Sequence, residues 1–469
     1  MVLLICIGTP LLGAFLLPLL GKRSAKLRNG TSLALVLVSL VCAGLLTAAV
    51  VRGQAPSLRM ELPLGLSLGL KADALSVFMA LTSCAVTAAI IIYSMGYMKH
   101  YDHLGEFYMM VTFFLGAMMG LVFSTSLMEV YLFWEFSSLC SWRLIGFYRD
   151  PESNRRANKA FIITVLGALM MLLGFLGIYG ATGTFDMEAL RGVGLPTWAT
   201  ALVLVGILSK SATFPLHSWL PDAGIAPSPV SSLLHAAVLV KIGVYFYARL
   251  FVVTAVVAPV FHVAVPVIAA VSALISAGCA MVETDLKRVV AYSTISQLAF
   301  MLLGLSCGSR TAFVGGMLYI MTHSVAKAGL FLCCGIVEHT VHTKDITKMG
   351  GLVKVMPVTA AAFMLSALSV MGIPPFSGFF AKYLVISGAV EAGQPLVAAV
   401  FILGAVMTVL YLLRLFRMVF LGSCTFPEVR EGSPAMLGAA VGLASLSLLL
   451  GFVMAWPSAL ATMIGGAAL

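Results

Sequence analysis

The chain has 469 residues, of which 61% are hydrophobic and 10% are charged, and its formal net charge is +10. Soluble globular chains are ~45–50% apolar and ~25% charged, so a water-soluble fold of this length would lack the charged residues needed to cover its surface. The composition therefore predicts a polytopic membrane protein and excludes a disordered chain, a disulfide scaffold and a nucleic-acid-binding protein.

Fourteen apolar segments qualify as membrane spans, which need ~20 residues each. The connections between them are too short to hold a soluble domain. The segments do not alternate polar and apolar residues as a membrane β-barrel would, so the predicted fold is all-α. The predicted spans are 1–20, 33–51, 74–95, 107–123, 127–147, 160–180, 197–214, 229–250, 252–281, 289–306, 311–338, 357–391, 394–421 and 434–456.

The basic residues predict the orientation of these spans. No basic residue precedes the first span, whereas Lys22, Arg23, Lys26 and Arg28 follow it. A cleavable signal peptide carries its positive charges first, so we expect a retained first helix with its N-terminus outside. Fifteen Lys and Arg fall in the odd-numbered connections and five in the even-numbered ones. The positive-inside rule then places the odd connections in the cytoplasm and both termini outside, in a cell (inner) membrane.

Sequence motifs for a redox centre or a nucleotide are not found. None of the nine cysteines forms a CxxC pair, and the adjacent pair Cys333–Cys334 is poorly spaced for a cluster or a zinc site. The sequence contains no phosphate loop, and no GxGxxG turn follows a strand. We expect no cofactor-binding residues, no metal ligands and no cofactor on this chain.

Charged residues inside the spans are the strongest functional signal. Each costs ~2.5–3.5 kcal/mol at the bilayer centre, so such residues face one another or a hydrated path. Those near span ends are expected to be structural, since long side chains reach the interface; Arg143, Arg414 and Arg417 belong to this group. The in-span acidic and basic residues considered further are Glu129, Glu135, Lys210, Lys241, Lys327 and Lys382.

Position in the span divides the remaining residues into structural and functional candidates. Glu129 lies near the outer end of its span and favours a structural role. The deeper group is expected to be functional and comprises Glu135, Lys210, Lys241 and Lys382. His323 and Lys327 lie one helical turn apart, which suits a two-step proton relay. His235 is equally compatible with the relay and with a satisfied histidine in the core.

Two of the spans contain helix-breaking sequences. Lys210 is followed by Ser-Ala-Thr-Phe and then Pro215, and Lys382 follows the segment 372–378, Gly-Ile-Pro-Pro-Phe-Ser-Gly. Proline removes a backbone donor and clashes with the preceding turn. Interrupted helices at corresponding positions of two halves point to an ion-handling site.

Separate motifs in this sequence resemble those of the antiporter-like membrane subunit family. The family includes the large membrane-arm subunits of NADH:quinone oxidoreductase (complex I), the Mrp-type multisubunit Na+/H+ antiporters and the energy-converting membrane-bound hydrogenases. The motifs are FWE (133–135), SKSATFPLHSWLPDA (209–223), APSPVSSLLHAAVLVKIGVY (226–245), TDLKRVVAYSTISQ (284–297), HSVAKAGLFL (323–332), DITKMGGL (345–352) and GIPPFSGFFAK (372–382).

The resemblance implies two inverted five-helix repeats, spans 4–8 and 9–13, each with a discontinuous helix. The implied domains are residues 1–106 (helices 1–3), 107–250 and 251–421 (the two repeats) and 422–469 (helix 14). The implied proton relay pairs Glu135 with Lys210. It continues through Lys241, His323 and Lys327 to Lys382, with His235 and Glu129 as further candidates.

The resemblance also leaves the complex open. Some middle subunits of complex I carry glutamate where this chain has Lys382. The distal subunit continues into a long lateral helix, whereas this chain ends thirteen residues after Trp456, so a distal subunit of that type is not expected.

The function expected is proton translocation within a redox-driven, complex I-like respiratory or hydrogenase complex. The chain would be a subunit of a redox-driven translocase without a redox centre of its own. The sequence leaves open whether such a subunit is classed as an enzyme. The alternative is a subunit of an Mrp-type Na+/H+ antiporter without redox chemistry. The expected partners are other membrane subunits, including neighbouring antiporter-like ones, and the lipid bilayer, but not nucleic acid. The expected ions are protons, and transport of Na+ is left open. A self-sufficient solute carrier is less favoured because no residue set suggests an organic substrate, and the buried charges disfavour a pure scaffold.

Overall fold

The computed structural model describes residues 1–61, 67–237 and 239–468, and most of them are helical. The prediction of a helical, multi-pass membrane protein is confirmed. The helices are α1 (Val2–Arg23), α2 (Ala25–Val51), α3 (Ala74–Tyr97), α4 (Leu104–Phe123), α5 (Leu127–Ile145), α6 (Pro151–Thr182), α7 (Thr197–Lys210), α8 (Ser228–Thr254), α9 (Phe261–Val282), α10 (Leu286–Ser306), α11 (Arg310–Val341), α12 (Pro357–Met371), α13 (Ser377–Glu391), α14 (Pro395–Phe420), α15 (Pro434–Phe452) and α16 (Ala455–Ala468).

Eleven helices within the described ranges are long and apolar enough to cross a membrane. They are α1–α4, α6, α8–α11, α14 and α15. Helix α5 has 19 residues but carries Glu129, Glu135 and Arg143. Helices α7, α12 and α13 have 14, 15 and 15 residues, which is shorter than the ~20 residues of a complete span.

Several helices begin at an acidic or hydroxyl cap in a short connection. The Asp73 side chain accepts a hydrogen bond from the Ser76 backbone and forms a capping box at the start of α3. Asp150 caps α6, Asp285 caps α10 and Ser309 caps α11. Each cap satisfies backbone N–H groups that have no partner inside the helix. The few acidic residues outside the spans thus help to define where the spans begin.

The connections gather at two opposite ends of the bundle. At one end, the antiparallel strands β1 (Ser57–Glu61) and β2 (Ser67–Lys71) form a hairpin, which the sequence did not predict. Isolated bridges join β2 to residue 124, residue 126 to 186, and residue 194 to 256. We call this end, with segments 57–61, 67–71, 124–126, 183–196 and 254–258, the hairpin face.

The other end joins the connections that are richest in basic residues. Asp285 bridges to Asp345, and the Lys159 ammonium lies 2.7 Å from the Asp222 carboxylate. We call this end, with segments 148–159, 215–227, 283–288 and 339–356, the basic face. Neighbouring connections in the sequence therefore lie at opposite ends, as expected for helices that cross the bundle one after another.

The two helix interruptions lie where the sequence predicted them. Helix α7 ends at Lys210, and a single turn at Trp219–Asp222 follows a non-helical segment. Helix α12 ends at Met371, where Gly372 adopts a left-handed conformation with φ of 82°, and α13 begins at Ser377. Phe214–Pro215 and Pro374–Pro375 are both cis peptides.

Helix α8 ends later than predicted, at Thr254, because a π-helical segment at Ala248–Thr254 continues it. The predicted boundary between residues 250 and 251 therefore lies inside a helix. Helix α9 begins at Phe261 rather than at residue 252, since the Val256 backbone pairs with Val193 and Leu195.

Helix α11 lies at the centre of the bundle, and its most apolar window is completely enclosed by the rest of the chain. Its close approach to α13 depends on glycines of both helices. A Cβ atom at Gly315 would lie 2.6 Å from the Val385 nitrogen, and one at Gly388 would overlap the Ala312 backbone. Backbone atoms leave no room for side chains at this crossing.

We predict that Gly388→Ala lowers the stability of the folded chain by about 1–3 kcal/mol, because the added methyl group displaces the α11 backbone. Gly442→Ala is the matched control, since Gly442 also lies inside a helix but has no atom within 4 Å of an added Cβ. This control is expected to be neutral or slightly stabilising. The midpoint of thermal unfolding of the detergent-purified complex distinguishes them, and equal midpoints would contradict the packing argument.

A buried line of ionisable residues

Five helices place the predicted relay residues inside the bundle. The lysines are 6% exposed or less, and both histidines are 1% exposed or less. Helix α5 carries Glu135, α7 carries Lys210, α8 carries His235 and Lys241, α11 carries His323 and Lys327, and α13 carries Lys382.

Lys210 is the last residue of α7 and is fully buried. Its ammonium donates to the Ser138 hydroxyl at 2.8 Å and to the Trp134 carbonyl at 3.3 Å, and it lies 5.4 Å from the Trp134 ring centroid. Glu135 is partly buried, and its Oε1 has no hydrogen-bond partner. The two side chains interact electrostatically but are not in contact, so Lys210 is held here by α5 groups other than Glu135.

A local change in helix geometry provides the partner of Lys241. Residues Leu233–Ala237 of α8 form a π-helical turn. The Lys241 ammonium donates to the His235 carbonyl at 2.7 Å. A π turn withdraws a carbonyl from the regular i to i+4 ladder, and here the ammonium occupies that acceptor. The His235 ring packs 4.5 Å from the Phe331 ring of α11, and both of its nitrogens are buried without a partner.

Helix α11 contributes one amine and one imidazole on the same face. The Lys327 ammonium donates to the Ser293 hydroxyl of α10 at 2.6 Å. That hydroxyl lies 2.7 Å from the Tyr411 hydroxyl of α14. The His323 ring is one turn away and has no hydrogen-bond partner on either nitrogen. Lys327 is therefore attached to a polar network, whereas His323 has two free ring nitrogens.

The polar network continues from Tyr411 towards Lys382. The Gln297 amide donates to the Thr408 and Tyr411 hydroxyls at 3.1 and 3.3 Å, and the Tyr319 hydroxyl donates to the Gln297 carbonyl oxygen. The Lys382 ammonium lies 5.8 Å from the Tyr319 ring centroid. Residues of α10, α11 and α14 thus form a continuous polar layer between two relay lysines.

Lys382 binds the end of the interrupted helix. Its ammonium donates to the carbonyls of Val370 and Met371, at 2.8 and 3.2 Å. These are the last residues of α12, where carbonyls lack helical partners and carry the negative end of the helix dipole. The interruption predicted from Gly372 to Gly378 therefore creates a binding position for a cation.

Electrostatic interactions connect the histidines of this set to the neighbouring lysines. His323 lies within reach of the charges of Lys241, Lys327 and Lys382, and His235 lies within reach of Lys241 and Lys327. In the described residues, no hydrogen bond or ion pair joins Lys210 to Lys241. Their helices nevertheless touch, since a Cβ at Gly243 would lie 2.7 Å from the Ile207 carbonyl.

The hydroxyls beside the relay residues bond to protein groups. Ser211 donates to the Ile207 carbonyl at 2.7 Å and lies 3.0 Å from the Thr213 hydroxyl. Thr322 donates to the Tyr319 carbonyl and Ser324 to the Ile320 carbonyl. These hydroxyls are therefore engaged with the helix backbone or with each other.

Glu129 lies apart from this line, on the hairpin face. One of its carboxylate oxygens accepts a hydrogen bond from the Gly69 backbone nitrogen of β2. A Cβ at Gly69 would overlap the Thr125 hydroxyl, so the strand lies directly against the start of α5. This geometry attaches the hairpin to the bundle.

The three arginines expected near span ends have structural contacts or a surface position. Arg143 forms an ion pair with Glu106, which also pairs with Arg149 at 2.6 Å. Arg414 donates to the Glu283 carbonyl at 2.9 Å. Arg417 lines a surface cavity beside Gly350 on the basic face.

Sequence analysis missed two buried ion pairs. Arg249 and Asp73 form one on the hairpin face, with an Nη2–Oδ1 distance of 2.8 Å, and Arg249 also donates to the Tyr245 hydroxyl. Lys287 and Glu338 form the other near the basic face, at 2.9 Å. These residues lie close to span ends, where a sequence cannot distinguish an interfacial charge from a buried pair. The charged residues just inside α8 and α11 were the only signal available.

The arrangement provides groups that can hold and release protons. Amines donating to carbonyls and hydroxyls alternate with imidazoles whose nitrogens are unpartnered. Among the described residues, no group of three or more His, Cys, Asp or Glu side chains is placed to hold a metal ion. A line of buried amines and imidazoles across an apolar bundle is therefore the chemical property that distinguishes this interior.

The fold and its interior define a polytopic membrane protein with a line of ionisable residues buried in its bundle. A sequence model of the family described as NADH:quinone oxidoreductase/Mrp antiporter, transmembrane region, matches residues 124–408, and one for the N-terminus of chain 5 of NADH-ubiquinone oxidoreductase (complex I) matches residues 61–108. The first match covers more than half of the chain, which belongs to the NADH:quinone oxidoreductase/Mrp antiporter family.

Similar proteins include chain 5 of NAD(P)H-quinone oxidoreductases. The chain is 39% identical over 386 residues to that of Synechocystis sp., covering 76% of this chain and 55% of the relative. It is 36% identical over 379 residues to subunit 5 from the chromatophore of Paulinella chromatophora, covering 76% and 56%. The chain thus spans about half the length of these relatives.

Two solved structures share the fold. A chain of the Mrp complex from Dietzia sp. superposes with a TM-score of 0.90 at 23% identity, covering 100% of this chain and 97% of the other. A chain of an archaeal respiratory complex, the membrane-bound sulfane sulfur reductase, gives a TM-score of 0.89 at 22% identity with the same coverage. These similarities establish the fold.

We predict that Asp73→Asn destabilises the chain by about 3–5 kcal/mol, because it leaves the Arg249 charge buried without its partner. Burial alone would raise the pKa of Asp73, but Arg249 and Ser76 lower it to about 2. The ion pair's contribution is therefore complete above the unfolded pKa of ~3.9 and is lost as the pH falls through about 2.

The control is Asp73→Asn combined with Arg249→Met, which removes both charges and is expected to be less destabilised than the single variant. Thermal unfolding midpoints at neutral pH test both. A single variant as stable as the unmodified chain would show that the pair contributes little.

Proposed function

We propose that this chain is a proton-translocating, antiporter-like membrane subunit of a complex I-like, redox-driven complex. Protons move along the buried line Glu135, Lys210, Lys241, His323, Lys327 and Lys382, with His235 as a further carrier. The single observation that carries the proposal is the set of lysines in the bundle interior, held by carbonyls and hydroxyls instead of carboxylates.

That observation separates translocation from scaffolding. A buried cation used only for packing would be neutralised by a contacting carboxylate, as Arg249 is by Asp73 at 2.8 Å. Lys241 and Lys382 instead donate to carbonyls, at 2.7 and 2.8 Å. A neutral amine can occupy the same position, so such a lysine can lose its proton without leaving an unpaired carboxylate behind. Proton release is therefore compatible with an intact interior.

The proposed architecture contains fourteen spans. Helix α5, the interrupted α7 and the pair α12–α13 join the eleven long helices. Two inverted repeats, α4–α8 and α9–α14, each contain one interrupted helix that ends beside a relay lysine. Residues 1–106 and 422–469 flank the two repeats.

The proposed orientation follows the distribution of basic residues. The basic face lies in the cytoplasm, and the hairpin face with both termini lies outside a cell (inner) membrane. The grouping of alternate connections at opposite ends of the bundle supports this assignment.

In the proposed mechanism, the distance between Glu135 and Lys210 controls the first proton. Burial disfavours the ammonium form, and a nearby carboxylate favours it. The separated arrangement corresponds to a Lys210 that is ready to release its proton, and approach of Glu135 would load it. Lys241, His323 and Lys327 pass the proton on to Lys382, which exchanges it at the end of α12.

The energy for this cycle would come from neighbouring subunits, because we place no cofactor on this chain. The partners proposed are other membrane subunits, including antiporter-like ones. The names of the NAD(P)H-quinone oxidoreductase relatives favour redox drive. The alternative is an Mrp-type Na+/H+ antiporter subunit, which the fold accommodates equally well. Proton uptake by membrane vesicles on addition of NADH, compared with uptake on an imposed Na+ gradient, separates the two.

We predict that Glu135→Gln and Lys210→Ala each reduce proton translocation by about tenfold or more while the complex still assembles. Each variant removes one member of the pair that loads the line. Lys159→Ala is the control, since it removes a lysine ion pair on the basic face instead. The measurement is dye-reported acidification of energised vesicles, normalised to assembled complex. Full translocation by both variants would contradict the proposed function.

We predict that Lys382→Ala reduces translocation more than Lys382→Glu. A protonated glutamic acid can donate to the Val370 or Met371 carbonyl and still exchange its proton, whereas alanine cannot. The same vesicle assay, at matched assembly, compares the two. Equal loss would mean that positive charge at the end of α12 matters more than the ability to titrate.

A further inference from the structure

A surface cavity on the basic face leads to the buried pair Lys287–Glu338. The cavity has a volume of about 440 Å³, and Glu338 forms part of its lining. Its other lining residues are aromatic, basic or polar: Tyr97, His100, Tyr101, His339, His342, Thr343 and Lys344. His100 and His342 are exposed. The cavity therefore opens the Glu338 carboxylate to water on the basic face.

Glu338 connects the cavity to the interior. Its side chain is 16% exposed, and its two carboxylate oxygens contact different amines. Oε1 lies 3.2 Å from Lys344, which is partly exposed, and Oε2 lies 2.9 Å from Lys287, whose side chain is 1% exposed. The carboxylate thus has one oxygen towards the aqueous side and one towards a buried amine.

Lys287 continues the connection from α10 towards α8. Its ammonium donates to the Ala226 carbonyl at 2.7 Å and to the Ser228 hydroxyl at 3.4 Å, just at the start of α8. Ser228 also donates to Glu338 at 3.0 Å. A Cβ at Gly335 would overlap Ser228, so α11 and α8 lie in direct contact here. Lys287 is therefore enclosed between the cavity and the relay.

One face of α11 extends from the cavity to the relay. Glu338 is eleven residues, or about three helical turns, beyond Lys327. Phe331 lies between them, one turn from Lys327, and its ring packs against His235. Lys287 acts electrostatically on that same imidazole, whose nitrogens have no partner. His235 lies seven residues, or about two helical turns, beyond Ser228, the hydroxyl partner of Lys287.

We propose that Glu338 and Lys287 form the proton uptake route from the basic face and deliver protons to His235. The inference rests on the proposed function and assigns roles to two residues outside the line described above. A proton from water binds the Glu338 carboxylate. The Lys287 ammonium transfers a proton to the bare nitrogen of His235, and the resulting amine takes a proton from the Glu338 carboxylic acid. Glu338 is again a carboxylate and Lys287 an ammonium, and one proton has moved inward.

A purely structural ion pair would behave differently from this route. Lys287→Arg keeps the positive charge and the ion pair, but a guanidinium does not release its proton in proteins. Glu338→Gln keeps the shape and hydrogen-bonding capacity but cannot carry a proton. Glu338→Asp keeps a carboxylate. Glu106→Gln is the matched control, because Glu106 also pairs with two basic residues, Arg143 and Arg149, yet lies off the route.

The experiment measures initial rates of proton translocation by the intact complex in energised vesicles, per assembled complex, together with its thermal unfolding midpoint. Lys287→Arg and Glu338→Gln are expected to lower the rate by about tenfold or more. Glu338→Asp is expected to retain most of the rate, and Glu106→Gln all of it. If one of the first two variants fails to assemble, the other decides.

Full translocation by Lys287→Arg or by Glu338→Gln overturns the uptake route. The result also separates the two proposals. If these variants translocate normally while Glu135→Gln does not, only the uptake route is wrong. If all of them translocate normally, proton translocation by this chain is wrong as well.

Discussion

The interior of this protein depends on how ammonium groups are satisfied in a bundle that offers few carboxylates. Backbone carbonyls solve the problem where a helix departs from regular geometry. The π turn of α8 provides the His235 carbonyl to Lys241, and the end of α12 provides the Val370 and Met371 carbonyls to Lys382. Carbonyls are strong acceptors without a net charge. They hold an ammonium in place, and they leave no unpaired negative charge when the amine loses its proton.

This constraint explains why irregular helices and charges occur together. The carbonyls that bind Lys241 and Lys382 lie at such irregularities, whereas Lys210 reaches the Trp134 carbonyl within the regular helix α5. The extended backbone around Ala226 provides a carbonyl to Lys287. The glycines at the α11–α13 crossing bring the two helix backbones into contact. Packing and polar chemistry are therefore parts of one arrangement.

The sequence predicted the features that depend on local patterns. Composition and apolar run length predicted the helical membrane fold, and Pro215 and the 372–378 segment predicted where helices stop. Contacts between distant segments could not be predicted. Arg249 and Asp73 are 176 residues apart, and nothing local links them. The hairpin was missed although its strands, SLRME and SLGLK, alternate polar and apolar residues, because at five residues each they are short beside the apolar runs that dominate the sequence. Lys210 was expected to pair with Glu135, whereas its closest partner is the Ser138 hydroxyl.

Helix α11 has a further consequence because its apolar part is buried within the protein. Every residue of its most apolar window belongs to the interior of the bundle. The dielectric surroundings of His323 and Lys327 are therefore set by the amino-acid sequence rather than by acyl-chain length, headgroup charge or bilayer thickness. The protein itself therefore provides the polar surroundings of these buried ionisable groups. It can keep the same internal energetics in membranes of quite different lipid composition.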